Sequence, residues 1–164
     1  MLIHRVACLA VLATCVTTLS PVAFAASGVV VSKSVEIKGK SPDELLKVFG
    51  GFCAIQQWHP AVAKCDEAKE GNDTFRTLTL KDGAKIKEKR TGTVENGYSY
   101  KIIESPLPVK DYLATFSIKK DGEVTIVNWL ASFQAKDKPE SEAKAVIEGI
   151  FDAGLKSIAD MAAK

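Results

Sequence analysis

Toward the C-terminus, Ile147, Ile150, Phe151, Leu155 and Ile158 recur at three- and four-residue spacing. That period draws one apolar stripe along a helix that Pro139 opens and that runs to the chain end. At the other side of the chain, VVVSKSVEI, Val29 to Ile37, is rich in β-branched residues and predicts a strand. SPDELLKVF follows, with Ser41 as N-cap, Pro42 at the first helical position and Glu44 three residues after the cap, which together spell a capping box. Gly50 and Gly51 end that helix, and CAIQQW predicts a second short helical turn before Pro60. From Ala63 to Gln134 the turn signals GND at Gly71, KDG at Lys81, ENG at Glu95, PLP at Pro106 and KDG at Lys120 divide the chain into six successive strands, most simply a meander. The order is strand, two short helices, six strands, one long helix. A curved antiparallel sheet with the long helix laid across it buries the stripe, an α+β architecture.

Hydrophobic matching also predicts register. In FRTLTLKDGAKIKEKR, a two-residue loop would set Leu80 and Leu78 opposite Lys85 and Lys87. A three-residue loop, Lys81 to Gly83 with Gly83 left-handed, instead pairs Leu80 with Ala84 and Leu78 with Ile86. The second register places Arg76 opposite Glu88 on the leucine face, while Lys85, Lys87 and Lys89 point the other way. Charges on an apolar face must pair or reach water. Two readings stay open for Arg76 and Glu88: a structural pair near a sheet edge, or a polar anchor lining a cavity. The same loop rule at Lys120 to Gly122 predicts Ile118 opposite Val124, Phe116 opposite Ile126 and Tyr112 opposite Leu130. It puts Leu113, Val127 and Trp129 on the other face and brings Lys119 and Glu123 together beside the turn. Both faces of that hairpin are largely apolar, so one is expected to meet the helix or a cavity and the other a further partner.

The N-terminus sets the expected compartment. MLIHR carries one fixed positive charge, VACLAVLATCVTTL is a short apolar core, and AFA, Ala23 to Ala25, is a small-x-small cleavage pattern. Residues 1–25 are therefore read as a secretory signal, leaving a 26–164 domain that is expected to be periplasmic. The apolar run is too short and too polar at its end for a membrane span. LATC at Cys15 faintly resembles a lipoprotein site, but its threonine is bulky for one and AFA is the cleaner signal. Removing Arg5 leaves 21 of 22 basic residues against 20 acidic ones, no excess for a nucleic-acid backbone. About 140 residues suit one domain with one core.

Two of the four cysteines fall in the signal, so the exported chain has Cys53 and Cys65, an even number in an oxidising compartment. A Cys53–Cys65 disulfide is their simplest use. A Cys-x5-His-x5-Cys metal site through His59 is the sharper alternative, with three ligands at no familiar spacing. No cofactor is expected: the chain has neither a phosphate-cradling glycine loop nor a dinucleotide fingerprint.

The element order, together with WHPAV at Trp58, RTLTLxDGxxIxE from Arg76 to Glu88, YxIxESPLPVxDY from Tyr100 to Tyr112 and VxWxAxF from Val127 to Phe133, resembles the START-like, or Bet v 1-like, superfamily, in its bacterial polyketide cyclase/dehydrase and lipid-transport branch. The resemblance implies a helix-grip fold: a seven-stranded antiparallel sheet wrapped on a long C-terminal helix, enclosing an apolar cavity. It also implies that Trp58, Arg76, Glu88, Tyr100, Tyr112 and Trp129 belong to that cavity or its mouth, although aromatic residues at such spacings more often fill core.

The exported, cysteine-paired form is similar to the MxaD type of periplasmic accessory protein in methanol oxidation. That likeness implies a role in electron transfer from methanol dehydrogenase to its cytochrome, with no chemistry of its own. A protein partner, dehydrogenase or cytochrome, is then expected, with the KDG and ENG hairpin tips as exposed charged loops able to steer an encounter. The alternative is a carrier of a small hydrophobic ligand, for which Ala114 and Ala131 among the aromatics leave room. A second alternative is a cyclase-like enzyme using Arg76 with Glu88, or His59, as acid or base. The sole histidine of the exported chain, beside a proline, is a thin basis for catalysis, and no catalytic residue is assigned.

Overall fold

The computed structural model describes residues 28–164; the expected signal segment, its cleavage position and Cys15 lie outside them. The elements follow in the predicted order: β1 (Val29–Lys38), α1 (Pro42–Phe49), α2 (Ile55–Trp58), β2 (Val62–Glu70), β3 (Asp73–Leu80), β4 (Lys85–Val94), β5 (Gly97–Glu104), β6 (Val109–Asp121), β7 (Val124–Ala135) and α3 (Glu140–Ala162). Ser41 caps α1 as its sequence predicts: its Oγ accepts from the Glu44 amide while the Glu44 carboxylate accepts from the Ser41 amide at 2.7 Å.

Strands β2 to β7 form a meander, and β1 closes it by pairing with β7, so the seven-stranded sheet runs β1-β7-β6-β5-β4-β3-β2. All the pairings are antiparallel. α3 lies across the inner face, burying Ala143, Ile147, Phe151, Leu155 and Ile158 of the predicted side, with Ile150 half-buried. Each large apolar side chain buried this way contributes about 1.5–3 kcal/mol. This is the helix-grip fold.

The first KDG hairpin has the three-residue loop. Leu78 pairs with Ile86 and Arg76 with Glu88, the Leu80 amide donates to the Ala84 carbonyl at 2.8 Å, and Gly83 takes φ +88°. The second hairpin differs from expectation by three residues. Asp121 pairs with Val124 around a two-residue loop, setting Ile118 opposite Val127, Phe116 opposite Trp129 and Ala114 opposite Ala131. Gly122 at φ +55° holds the first central position, the glycine placement of a type II′ hairpin. Phe116, Ile118, Val127 and Trp129 therefore share the inner face, Leu113 and Leu130 point outward, and Lys119 meets Ile126 rather than Glu123. Apolar residues at both parities made the two registers equivalent by pattern. Trp129 decides between them, because only inward can it stack on Phe151 of α3, at 4.2 Å between centroids.

That stacking needs α3 close to the sheet, and Gly154 allows it. A Cβ at Gly154 would lie 2.9 Å from Cδ2 of His59, Cζ3 of Trp129 and Cζ3 of Trp58, whereas one at Gly149 meets nothing within 4 Å. Cys53 and Cys65 form the expected disulfide, with Cα atoms 5.5 Å apart, joining the α1–α2 corner to β2. Closing this loop is worth about 3 kcal/mol in the chain-entropy model.

Two substitutions of the same kind in α3 should therefore have opposite signs. Gly149→Ala is expected to stabilise by about 0.5–1 kcal/mol through helix propensity. Gly154→Ala should instead cost about 1–3 kcal/mol, because rigid rings must shift. Urea unfolding of both variants measures this, and equal signs would contradict the close approach.

Candidate functional site

The inner face of the sheet carries a buried polar cluster beside a small cavity. Arg76 on β3 is 1% exposed. Its Nε donates to Glu88 Oε2 at 2.5 Å and its Nη1 to the Phe52 carbonyl, with the Tyr98 hydroxyl 3.4 Å away. The guanidinium also lies 4.2 Å from the Phe52 ring centroid and 4.9 Å from that of Tyr100, a cation–π cage. Burial alone would lower the Arg76 pKa. The Glu88 carboxylate, with Tyr98 and Tyr100, more than reverses this and holds it above the ordinary arginine value. Burial lifts Glu88 above the usual carboxylate range, against the downward pull of Arg76. The arginine keeps its charge and needs a counter-charge in the same dry space, so the ion pair is the state that the packing supports at neutral pH.

A cavity of about 70 Å³ lies between the sheet, α2 and α3. Glu88, Tyr100, Tyr112 and Trp129 line it, together with His59. Four of the six residues expected at the cavity thus come together; Trp58 and Arg76 stand outside its lining. Trp58 packs in the aromatic core, 5.5 Å from Phe116 and 5.4 Å from Trp129, and its Nε1 is buried without a hydrogen-bond partner. Trp129 Nε1 donates to the Tyr100 hydroxyl at 2.8 Å, and burial raises the Tyr98, Tyr100 and Tyr112 phenols, which stay protonated. Ala114 and Ala131 do face one another, and both are buried in the core.

His59 is fully engaged by backbone. The Ala61 amide donates to Nδ1 at 3.2 Å, so Nε2 carries the proton and donates to the Ile150 carbonyl at 3.0 Å. Both histidine nitrogens and both sulfurs are thereby committed, which removes the Cys-His-Cys metal arrangement. Desolvation lowers the His59 pKa; the Ile150 bond opposes that and Arg76 adds to it.

The sequence reading missed Phe52 and Tyr98, which hold Arg76, and Leu107, Ile147 and Ile150 on the cavity wall. Tyr98 stood two residues from Tyr100, on the same strand face, and this spacing could have found it. A backbone carbonyl such as that of Phe52 leaves no sequence signal.

The family model for polyketide cyclase/dehydrase and lipid transport proteins matches residues 28–163. Among solved structures, XoxI from Bacillus cereus is 29% identical, with a TM-score of 0.77 over 82% of this chain and 96% of that one. The ZhuI aromatase/cyclase from Streptomyces sp. R1128 is 16% identical, with a TM-score of 0.68 over 83% and 94%. A START superfamily protein from Mycobacterium smegmatis is 17% identical, with a TM-score of 0.67 over 82% and 97%. At such identities the last two share the fold. No curated protein matches the sequence.

Removing one member of the buried pair should be far worse than removing both. Arg76→Met alone is expected to cost about 3–5 kcal/mol by stranding Glu88, whereas adding Glu88→Leu should recover most of it. Denaturant midpoints of the single and double variants give the comparison. His59 predicts the acid side of the stability profile. Its folded pKa lies below the unfolded value of 6.5, so its contribution is complete above that pH and is lost as pH falls through the folded pKa. Thermal unfolding between pH 8 and pH 5 should show this loss in the wild type and a flatter profile in His59→Gln.

Proposed function

The chain belongs to the polyketide cyclase/dehydrase and lipid transport family, and from that premise we propose that it is a non-catalytic accessory protein acting through a protein partner. The role proposed is of the MxaD type: exported to the periplasm and supporting electron transfer from methanol dehydrogenase to its cytochrome. The observation that carries this reading is the filled interior. A site for a polyketide-sized molecule occupies about 300–1,000 Å³, and the cavity here is about 70 Å³. The groups that a cyclase-like reaction would use are already committed, Glu88 to Arg76 and His59 to two backbone groups. The resemblance to aromatase/cyclases rests on fold, and fold does not fix chemistry.

A second reading, a carrier of a small hydrophobic ligand, draws on the cavity wall. Ile55, Val62, Leu78, Ile86 and Ile147 make it apolar, with Glu88 and two tyrosines as its polar side. A ligand of a few heavy atoms fits that space, and a larger one requires its wall to move.

Reconstitution separates these readings. Protein spanning residues 26–164, added to purified methanol dehydrogenase and its cytochrome, is expected to raise the rate of cytochrome reduction in a saturable way. An unchanged rate, together with a small-molecule mass retained in native mass spectrometry, would replace the accessory reading with the carrier.

A further inference from the structure

Strands β5 and β6 part over the last three residues of β5 and the first four of β6. Their pairing ends at Lys101 and Leu113. β4, however, stays with β5 as far as Glu104, and β7 with β6 as far as Val109. No ladder bond joins Ile102 to Glu104 with Lys110 and Asp111, and a cleft of about 790 Å³ opens between them. The cause is local: the β6 register shifts between Lys110 and Leu113, and Asp111 takes φ +52°, where a non-glycine residue is uncommon. Two strand edges are thus offered to an extended chain inside an otherwise continuous sheet.

The cleft carries a small basic excess. Lys101, Lys110 and Lys136 line it against Glu104 and Asp111, and among the described residues none of the three lysines lies within ion-pairing distance of a carboxylate. On the same outer face β4 adds Lys85, Lys87 and Lys89; Lys89 stands opposite Lys101 but is bonded to Asp73 at 2.6 Å, and Lys87 lies 3.9 Å from Glu70. Beside this basic stretch the outer face is greasy. Of the six exposed large apolar side chains among the described residues, Val30, Ile103, Leu113 and Leu130 all lie on it. Register places Ser132 between Leu113 and Val30, so the apolar side chains between the cleft and β1 are interrupted by a serine. The solvated face of an antiparallel sheet is ordinarily polar, and several large apolar side chains exposed on one mark an interaction surface.

We propose that the β5–β6 cleft and the exposed apolar side chains beside it dock an acidic, extended segment of a partner protein. Main-chain bonds to the two free edges hold the segment, Leu113 and Ile103 take its apolar side chains, and the lysines take its carboxylates. The proposal rests on the functional reading above for the identity of the partner. It moves the interface from the hairpin tips to the sheet face.

The test uses the 26–164 protein with purified methanol dehydrogenase and its cytochrome, each alone, in binding titrations and hydrogen exchange. Expected are protection of residues 102–104 and 110–113, and about ten-fold or greater weakening in Lys101→Glu/Lys110→Glu/Lys136→Glu and in Leu113→Ser. Lys81→Glu/Lys120→Glu at the hairpin tips should bind as wild type. Binding with protection elsewhere and unaffected cleft variants overturns the cleft while leaving the accessory role intact. If neither protein binds, the accessory role falls and the cleft is tested with a synthetic peptide alternating Glu or Asp with Val. Saturable, salt-sensitive binding that the triple variant abolishes sustains the cleft, and no binding overturns it.

Discussion

A guanidinium enclosed among aromatic rings is costly unless its whole surroundings cooperate, and Arg76 organises much of this molecule for that reason. Its carboxylate must come from Glu88, which the three-residue loop at Lys81 to Gly83 places across the strand pair. A further acceptor is the Phe52 carbonyl, in the corner between α1 and α2. That corner cannot drift, because Cys53 is bonded to Cys65 on β2 and the Gln56 side chain accepts from the Cys65 amide at 2.9 Å. The disulfide, the first hairpin and the two short helices thus serve one electrostatic requirement. The answer to whether Arg76 and Glu88 are structural or functional is divided: Arg76 is sealed in, and only Glu88 reaches the cavity.

The same packing accounts for the small interior. Trp129 stacks on Phe151, Trp58 meets both Trp129 and Phe116, and Gly154 lets α3 approach until the rings touch. A helix-grip sheet is curved enough to enclose a ligand, and here side chains take that volume. Interior chemistry would require these groups to release partners that they already hold. Recognition on the outside requires no such release, and this physical asymmetry favours a binding role.

The outer face carries the complementary feature. Where β6 shifts register between Lys110 and Leu113 it parts from β5, leaving polar backbone, lysines and apolar side chains together where the sheet meets solvent. Ile102 and Tyr112 form part of both the cleft and the cavity lining, so the two spaces share a wall. No helix among the described residues is long and apolar enough to cross a membrane, and the exposed apolar side chains beside the cleft belong to strands.

Short-range patterns determined the element order, the α1 capping box, the α3 stripe and the first hairpin. In each, a local period or turn residue distinguishes one arrangement from its competitors, and Leu78 and Leu80 have no good register except opposite Ile86 and Ala84. The second hairpin had no such bias, since Ile118, Ile126, Val127 and Trp129 give apolar matches at either parity. Only the fit of Trp129 against Phe151 and Trp58 chose between them. Tertiary structure alone likewise decided that Trp58 and Arg76 stand outside the cavity, that His59 spends both nitrogens on backbone, and that β5 and β6 separate beyond Lys101. Those outcomes depend on volumes and backbone groups brought together from distant parts of the chain, and residue order carries no record of either until the sheet closes on α3.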